Sequence, residues 1–490
     1  MISNPKKNKK LIWGLGLILI LGAFLRLHKI GAYATFLGDE GRDALVVFEM
    51  IKNRRPTLLG PRTSVGDLYL GPLYYYLMIV PLWLFRFHPV GPAVMVACFG
   101  VATIYLVFLL GRELFGDKAG FWAALFYAVS QPIITHTRFS WNPNPVPFFA
   151  CLAILSLYRY LKQGKITWIL LTGACLGALV HLHYVSLAFV LVVSVMAYFF
   201  SSPSQKKNLL GGLGAFLLVL APIFIFEFRH QFVISKGFYR FFTQEEKLGL
   251  LPLQTLRKLT IAYRRLASHF LAADKKVLGF LASLLMIFPF RELISAWKKK
   301  TSLKILFFWL IFGLLGASLY TGDLHDHYLG FLFPVPFLLL GAFLASPKAK
   351  FIKGGILVAF LSFNLLNLDL IAADRRPNDQ IRRARLVAES IVQDWDGQSF
   401  NLALISPTLD FRAMNYRYFT TILGATPEGF DNYSRIETLY VIQEQEKIPL
   451  TDRTAWEIAS FGESEEVKKW RFEEFGFTVS KLKKKKEAEE

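Results

Sequence analysis

The run Thr35-Phe36-Leu37-Gly38-Asp39-Glu40-Gly41-Arg42-Asp43 sets three carboxylates and a guanidinium within five residues. A carboxylate held where water can reach it can take the proton of a hydroxyl as that hydroxyl attacks a carbon, which is general-base chemistry. Asp39 is the candidate base. Glu40 is its catalytic neighbour, and Arg42 is a candidate substrate contact. The run lies just past Leu11–Leu27, a stretch apolar except for Arg26. Charge at such a boundary is costly unless solvated or paired, and is often functional. The competing reading is a solvated helix start, where acids are favoured by the helix dipole.

Four further polar motifs carry chemistry. They are Arg138-Phe139-Ser140-Trp141-Asn142-Pro143-Asn144-Pro145, His181-Leu182-His183-Tyr184, Phe228-Arg229-His230, and the stretch from Tyr320 through His325-Asp326-His327 to Tyr328. The His325–His327 cluster raises the question of a divalent metal, because imidazole and carboxylate are good zinc ligands. Residues so close in sequence rarely aim both rings at one ion, and no further ligand stands out, so no metal or other cofactor is assigned. His181 and His183 lie two apart and point differently on a helix, which leaves His181 a structural residue.

The elements that must position these groups are membrane spans. The chain has 490 residues, 54% of them hydrophobic and 15% aromatic, with mean hydropathy +0.39. Repeated apolar runs of spanning length make it a polytopic membrane protein with about eleven spans. The expected spans are 11–27, 92–111, 119–135, 146–161, 167–182, 185–200, 209–226, 277–290, 305–320, 328–345 and 354–371. The formal charge of +20 falls between the apolar runs. Loop topology accounts for it, and a nucleic-acid surface does not. The three cysteines sit inside apolar runs, with neither disulfide framework nor zinc spacing. Lys6–Lys10 precede an expected uncleaved first span.

With the N-terminus inside, the lysine-rich connections, Lys298–Lys300 among them, all fall on the cytoplasmic side, while the short loops 136–145 and 321–327 face out. The segment Gly71–Phe85, with Pro72, Pro81 and three successive tyrosines from Tyr74, is expected to lie in the outer interface. The first outer loop then runs over 28–91, a length that is usually functional. The basic outer loop at 227–276 could attract an anionic lipid or its phosphate. Residues 1–373 thus form the transmembrane domain. Residues 374–482 form a small α/β domain outside, with a helix over Pro377–Trp395 and strands at Phe400–Ile405, Thr438–Ile442 and Trp470–Leu482. A charged tail, 483–490, closes the chain.

These residues resemble the GT-C superfamily of membrane glycosyltransferases. The likeness is to the branch that holds protein O-mannosyltransferases and the lipid A aminoarabinose transferase, a family 39-like pattern. It covers roughly residues 10–345 and rests on Asp39-Glu40 after the first span, on Gly71-Pro72-Leu73-Tyr74-Tyr75, on Arg138 before a polar turn, and on Tyr328–Pro336. Two positions depart from it. Gly71 stands where aminoarabinose transferases carry lysine, and Asn142 and Asn144 stand near where many members have aspartate. The resemblance implies an all-α polytopic membrane fold with a small α/β domain outside, and a prokaryotic plasma membrane as its place. It implies a sugar donor on a polyprenyl phosphate, a lipid, glycan or protein acceptor, and inverting transfer on the outer face, with Asp39 as the matching acid.

One base suffices for inversion, and a phosphate leaves without an acid if cations stabilise its charge. Arg138, Arg229 and His183 are the candidates to bind the donor phosphate. Tyr74, Asn142, Asn144, His325, His327 and Tyr328 join Arg42 as candidate substrate contacts. The alternatives are a protein O-mannosyltransferase proper and, in another class, a lipid or sugar transporter or flippase. Transporters carry charge near the bilayer midplane on broken helices; here the acids sit in loops.

Overall fold

The structure is a computed structural model that describes residues 5–63, 68–244, 252–272, 279–283, 286, 301–320, 322–347, 350–368, 376–406, 412–444 and 455–485. It is mostly helical. Among the described residues, Lys9–Leu27, Val90–Phe115 and Thr301–Ser318 are each long and apolar enough to cross a membrane. Two bent pairs pass as broken spans: Pro203–Val219 with Ala221–Arg229, at 58°, and Asp326–Leu332 with Pro334–Ala345, at 50°. Prolines account for both breaks. Pro222 and Pro334 lack the N–H that an unbroken helix needs at those positions. Ile166–Leu182, Ser186–Phe200 and Lys353–Leu366 are shorter apolar helices.

The expected span 119–135 is two helices, Asp117–Val129 and Gln131–His136, parted where Ser130 turns extended at ψ 119°. The Ser130 hydroxyl donates instead to the carbonyl of Phe270, at 2.9 Å. The expected span 277–290 and the lysines 298–300 lie largely or wholly outside the described residues. The tyrosine-rich segment forms a helix, Leu73–Leu84, of 12 residues. At about 1.5 Å per residue it is roughly 18 Å long, well short of a hydrocarbon core of about 30 Å.

Two buried arginines tie the end of the first helix into the bundle. Arg26 donates to the carbonyls of Gly22, at 3.1 Å, and Ala128, at 2.9 Å. Arg138 donates to those of Leu25 at 2.6 Å, Arg26 at 3.2 Å and His28 at 2.8 Å. The last carbonyls of a helix have no partner within it, so Arg138 acts as its cap.

After the last apolar helix comes a four-stranded sheet in the order β1-β2-β4-β3. Its strands are β1 (Phe400–Ile405), β2 (Thr438–Gln443), β3 (Ser464–Phe472) and β4 (Phe477–Lys484). β1 and β2 are parallel, joined through the helix Met414–Ile422; β4 runs antiparallel to both β2 and β3. The helix expected over Pro377–Trp395 spans Gln380–Asp394. The single strand expected at Trp470–Leu482 is part of a hairpin, closed by Phe472 opposite Phe477. Gly476, at φ 69°, supplies the left-handed turn residue. β3 is the outer edge and carries Glu465, Glu466, Lys468, Lys469 and Arg471, the charged pattern that keeps an edge from pairing with other chains.

This unit is seated on the segment that leads into the carboxylate run. The amide of Asp379 donates to Ala32 O at 3.0 Å, and Asn378 to Tyr33 O at 3.2 Å. The Gln380 side chain accepts the Phe36 amide at 2.7 Å, and Asn415 donates to Phe36 O at 3.3 Å. The Phe36 ring lies edge-on to Tyr418 and Phe419, 5.9 and 5.5 Å away. The closest approach is at Gly41, where an added Cβ would lie 2.4 Å from the backbone nitrogen of Asn415. A backbone wall cannot step aside as a flexible side chain can, so the seat demands glycine. Gly41→Ala should therefore cost about 1–3 kcal/mol of stability, read as a lower unfolding midpoint and faster proteolysis of the 380–485 unit. Gly429→Ala, with open space around its Cβ, should leave both unchanged.

Candidate active site

The helix Gly38–Asn53 starts at Leu37, which has extended backbone and no side-chain oxygen to cap the first turn. Glu40 supplies the return bond: its carboxylate accepts the Leu37 amide at 2.9 Å. That bond turns Glu40 into the protein, where it is buried. Burial pushes its carboxyl up to about 7, against the pull of the Leu37 amide.

The other two acids of the run share Arg42. Its Nη1 donates to Asp39 Oδ1 at 2.7 Å, while Nε and Nη2 both donate to Asp43 Oδ1, at 2.9 and 2.8 Å. Asp43 is 1% exposed and also accepts the Tyr75 hydroxyl at 3.1 Å. Burial pushes Asp43 up to about 6, against the pull of Arg42. The two carboxylates hold Arg42 above the ordinary guanidinium range despite its burial. Asp39 alone of the three acids opens outward, its side chain 50% exposed. Trp141 donates its indole N–H to the second Asp39 oxygen, at 3.3 Å.

Asp39 lines a cleft of about 500 Å³ together with Leu37, Gly38, Glu40, Arg42, Phe139 and Trp141, and with Arg412, Met414 and Phe430 of the C-terminal unit. Behind Trp141 lies an aromatic cluster. The His327 ring is 4.4 Å from Trp141, 5.3 Å from His183 and 5.6 Å from His325, and Tyr328 lies 5.0 Å from His183. Nδ1 of His183 accepts the Val185 amide at 3.3 Å, which leaves its proton on Nε2. Burial pushes His183 down to about 4. At pH 7 it can therefore donate a hydrogen bond but carries no charge. Among the described residues no group of three or more His, Cys, Asp or Glu side chains is placed to hold a metal.

The structure thus gathers Asp39, Glu40 and Arg42 at one cleft, with His183, His325, His327 and Tyr328 joined to it through Trp141. It does not bring the other sequence candidates there. Arg138 is committed to the first helix and borders a separate cavity of about 40 Å³ with Tyr33 and Thr35. Arg229 is exposed at the end of its helix and does not line the cleft. The Tyr74 hydroxyl pairs with Ser140 at 2.7 Å, Asn142 donates to Leu182 O at 2.7 Å, and Asn144 to Phe139 O at 3.0 Å. Trp141, Asp43, Arg412 and Phe430 are the residues that sequence reasoning did not put forward. Trp141 stood inside a motif already singled out; nothing in the sequence pointed to Arg412 or Phe430.

An apolar helical bundle followed by a small α/β unit is a fold of the GT-C type, shared with solved structures. Residues 70–226 match the family described as dolichyl-phosphate-mannose-protein mannosyltransferase. In sequence the chain is similar to the polyprenol-phosphate-mannose–protein mannosyltransferase of Corynebacterium glutamicum, 22% identical over 257 residues that cover 44% of this chain and 49% of that one. The chain spans about half or less of the length of the curated relatives it matches. Among solved structures it is similar to ArnT from Cupriavidus metallidurans bound to undecaprenyl phosphate, with TM-score 0.59, 13% identity, and coverage of 96% of this chain and 97% of that one. It is also similar to the archaeal oligosaccharyltransferase AglB from Archaeoglobus fulgidus in complex with an inhibitory peptide and a dolichol-phosphate, with TM-score 0.53, 13% identity, and coverage of 90% and 70%. At such identities these likenesses establish the fold.

The raised Glu40 carboxyl has a consequence for stability. A group whose folded value lies near 7 and whose unfolded value is near 4.5 favours the folded state fully below pH 4.5, and that advantage is lost as pH rises through 7. The loss approaches about 3 kcal/mol. The unfolding midpoint of the chain in nanodiscs should fall between pH 5 and pH 7. Glu40→Gln should flatten that fall, leaving the smaller slope due to Asp43; equal slopes would mean that Glu40 does not fold neutral.

Proposed function

We propose that this protein is an inverting glycosyltransferase that moves a sugar from a polyprenyl-phosphate carrier to an acceptor hydroxyl at the outer face of a membrane. The observation that carries the reading is the contrast within one helical turn. Glu40 and Asp43 are buried, while Asp39 opens into the cleft with both oxygens oriented, one by Arg42 and one by Trp141.

In this mechanism Asp39 takes the proton of the acceptor hydroxyl as its oxygen attacks the anomeric carbon. The bond from that carbon to the phosphate oxygen breaks on the opposite face, and its electron pair leaves with the carrier phosphate. Arg42 offsets charge at the cleft. A single displacement inverts the anomeric centre, and the mechanism assigns no cofactor. The names of the matching family and of the Corynebacterium relative make mannose the first sugar to test and a protein hydroxyl the first acceptor. The undecaprenyl phosphate bound to ArnT and the dolichol-phosphate in complex with AglB support a polyprenyl- or dolichyl-type carrier.

Asp39→Asn keeps the size of the side chain and most of its hydrogen bonds but cannot take the proton. Transfer of label from a polyprenyl-phosphate sugar, in membranes with equal amounts of protein, should fall by about 10²–10⁴-fold. Glu40→Gln should lose much less. Near-normal turnover by Asp39→Asn would leave Asp39 a helix-start acid and end the mechanism.

The outer-face assignment has its own test. It rests on the sorting of basic residues among the short loops. A cysteine placed at the exposed Lys469 of β3 should react with an impermeant thiol reagent on intact cells, and one placed at the exposed Lys165 should not. The reverse pattern would put the cleft on the other side.

A further inference from the structure

Asp43 cannot reach a substrate, yet three donors grip it. It is 1% exposed and does not line the cleft. Nε and Nη2 of Arg42, at 2.9 and 2.8 Å, and the Tyr75 hydroxyl, at 3.1 Å, all converge on its Oδ1. Its Oδ2 is buried and accepts nothing among the described residues. Tyr75 is itself buried in the core and belongs to the helix Leu73–Leu84, so the acid is pinned from a second element. Arg42 in turn lines the cleft and gives its Nη1 to Asp39, at 2.7 Å. Tyr75, Asp43, Arg42 and Asp39 thus form a chain of hydrogen bonds that begins in the core and ends at the candidate base.

We propose that Asp43 is a positioning residue for the transfer: by gripping two nitrogens of Arg42 it aims the third at Asp39 and takes up part of the guanidinium's charge, so that Asp39 remains a competent base. This rests on the glycosyl-transfer reading above and names the residue that tunes its base. A cation whose whole charge falls on one carboxylate stabilises that anion and weakens it as a base. Proton transfer follows basicity, so a weakened base works more slowly. A second carboxylate on the same guanidinium offsets this, and a buried one does so with little screening. The two charge-assisted bonds from one edge of the guanidinium also fix its plane at the open cleft. The sharing has a pH window, because burial pushes Asp43 up to about 6. Below that pH Asp43 is neutral and Arg42 bears on Asp39 alone; above it the charge is shared and transfer quickens. The other polar groups around the pair are Glu40 on the same helix, Trp141, and Arg412 of the C-terminal unit. These three are the same in every protein compared below.

The pH dependence of transfer tests this. Full-length protein in membranes from a strain lacking the gene is given labelled polyprenyl-phosphate mannose and that strain's envelope fraction as acceptor, and kcat is followed from acid to mildly basic pH. The wild type should rise along an acid limb near pH 6. Asp43→Asn keeps the shape and an oxygen for Arg42 but not the charge. It should lower the plateau kcat by about three- to tenfold, leave donor and acceptor KM within about twofold, and move the limb down by about one pH unit. Tyr75→Phe removes a bond that steadies the ionised Asp43, and should move the limb the other way, up by about half a pH unit. A role in packing alone would slow both variants and leave the limb in place. Limbs unmoved in both variants, or moved in the same direction, would overturn the proposal. Where Asp43→Asn yields no folded protein, Tyr75→Phe decides alone: an upward shift supports the proposal and an unmoved limb overturns it. No transfer by the wild-type chain would instead overturn the glycosyl-transfer reading on which it rests.

Discussion

Three acids in five residues need a reason to stay together, and Arg42 is that reason. One guanidinium spans Asp39 and Asp43, using separate nitrogens for each. Left alone, three neighbouring carboxylates beside a bilayer would repel one another and resist burial. Arg42 and Tyr75 let Asp43 go fully inside, and the Leu37 amide lets Glu40 do so. The remaining acid is left facing water. The same arginine that makes the cluster tolerable thus goes with two buried acids and one exposed carboxylate.

The sorting depends on the seat made by the C-terminal unit. Gly41 lies between the buried acid and the shared arginine in sequence, and there the backbone of Asn415 presses against the helix. Phe36, just before that helix, is clasped by Gln380, Asn415, Tyr418 and Phe419. The unit therefore does two jobs with one contact. It covers the first turn of the helix at Gly41, and it contributes residues to the lining of the cleft. Trp141 joins this arrangement to the histidine cluster from the other side, so residues from distant parts of the chain meet around one carboxylate.

Much of this was legible in the sequence because it is written in local patterns. Apolar runs mark the helices, and the charge run after the first of them marks Asp39. Strands β1 and β2 read directly from short β-branched and aromatic runs. Other features were not legible, for physical reasons. A helix-breaking proline inside an apolar run does not shorten the run, so Pro222 and Pro334 bend spans that composition draws as straight. The hairpin of β3 and β4 read as one later strand because β3 begins in a charged edge with little apolar signal. The helix Met414–Ile422 has few aliphatic residues, and its burial comes from docking. That docking joins residues 379 positions apart, as the Asn415 side chain with the Phe36 carbonyl, and no local pattern carries such a contact. The roles of Arg138 and Asn142 were hidden likewise, since their partners are backbone carbonyls exposed at the ends of other elements, whereas Asn144 bonds within its own turn, to Phe139.

The central claim is that one base in this cleft drives a single displacement at a sugar carried on polyprenyl phosphate. The stereochemistry of the product tests it most directly. Purified chain in nanodiscs would be given a polyprenyl-phosphate sugar of known anomeric configuration and an acceptor, and the product examined by NMR. The account predicts a glycoside of the opposite configuration, formed together with free polyprenyl phosphate. A product with the donor's own configuration would require two displacements and a covalent intermediate, and would contradict it.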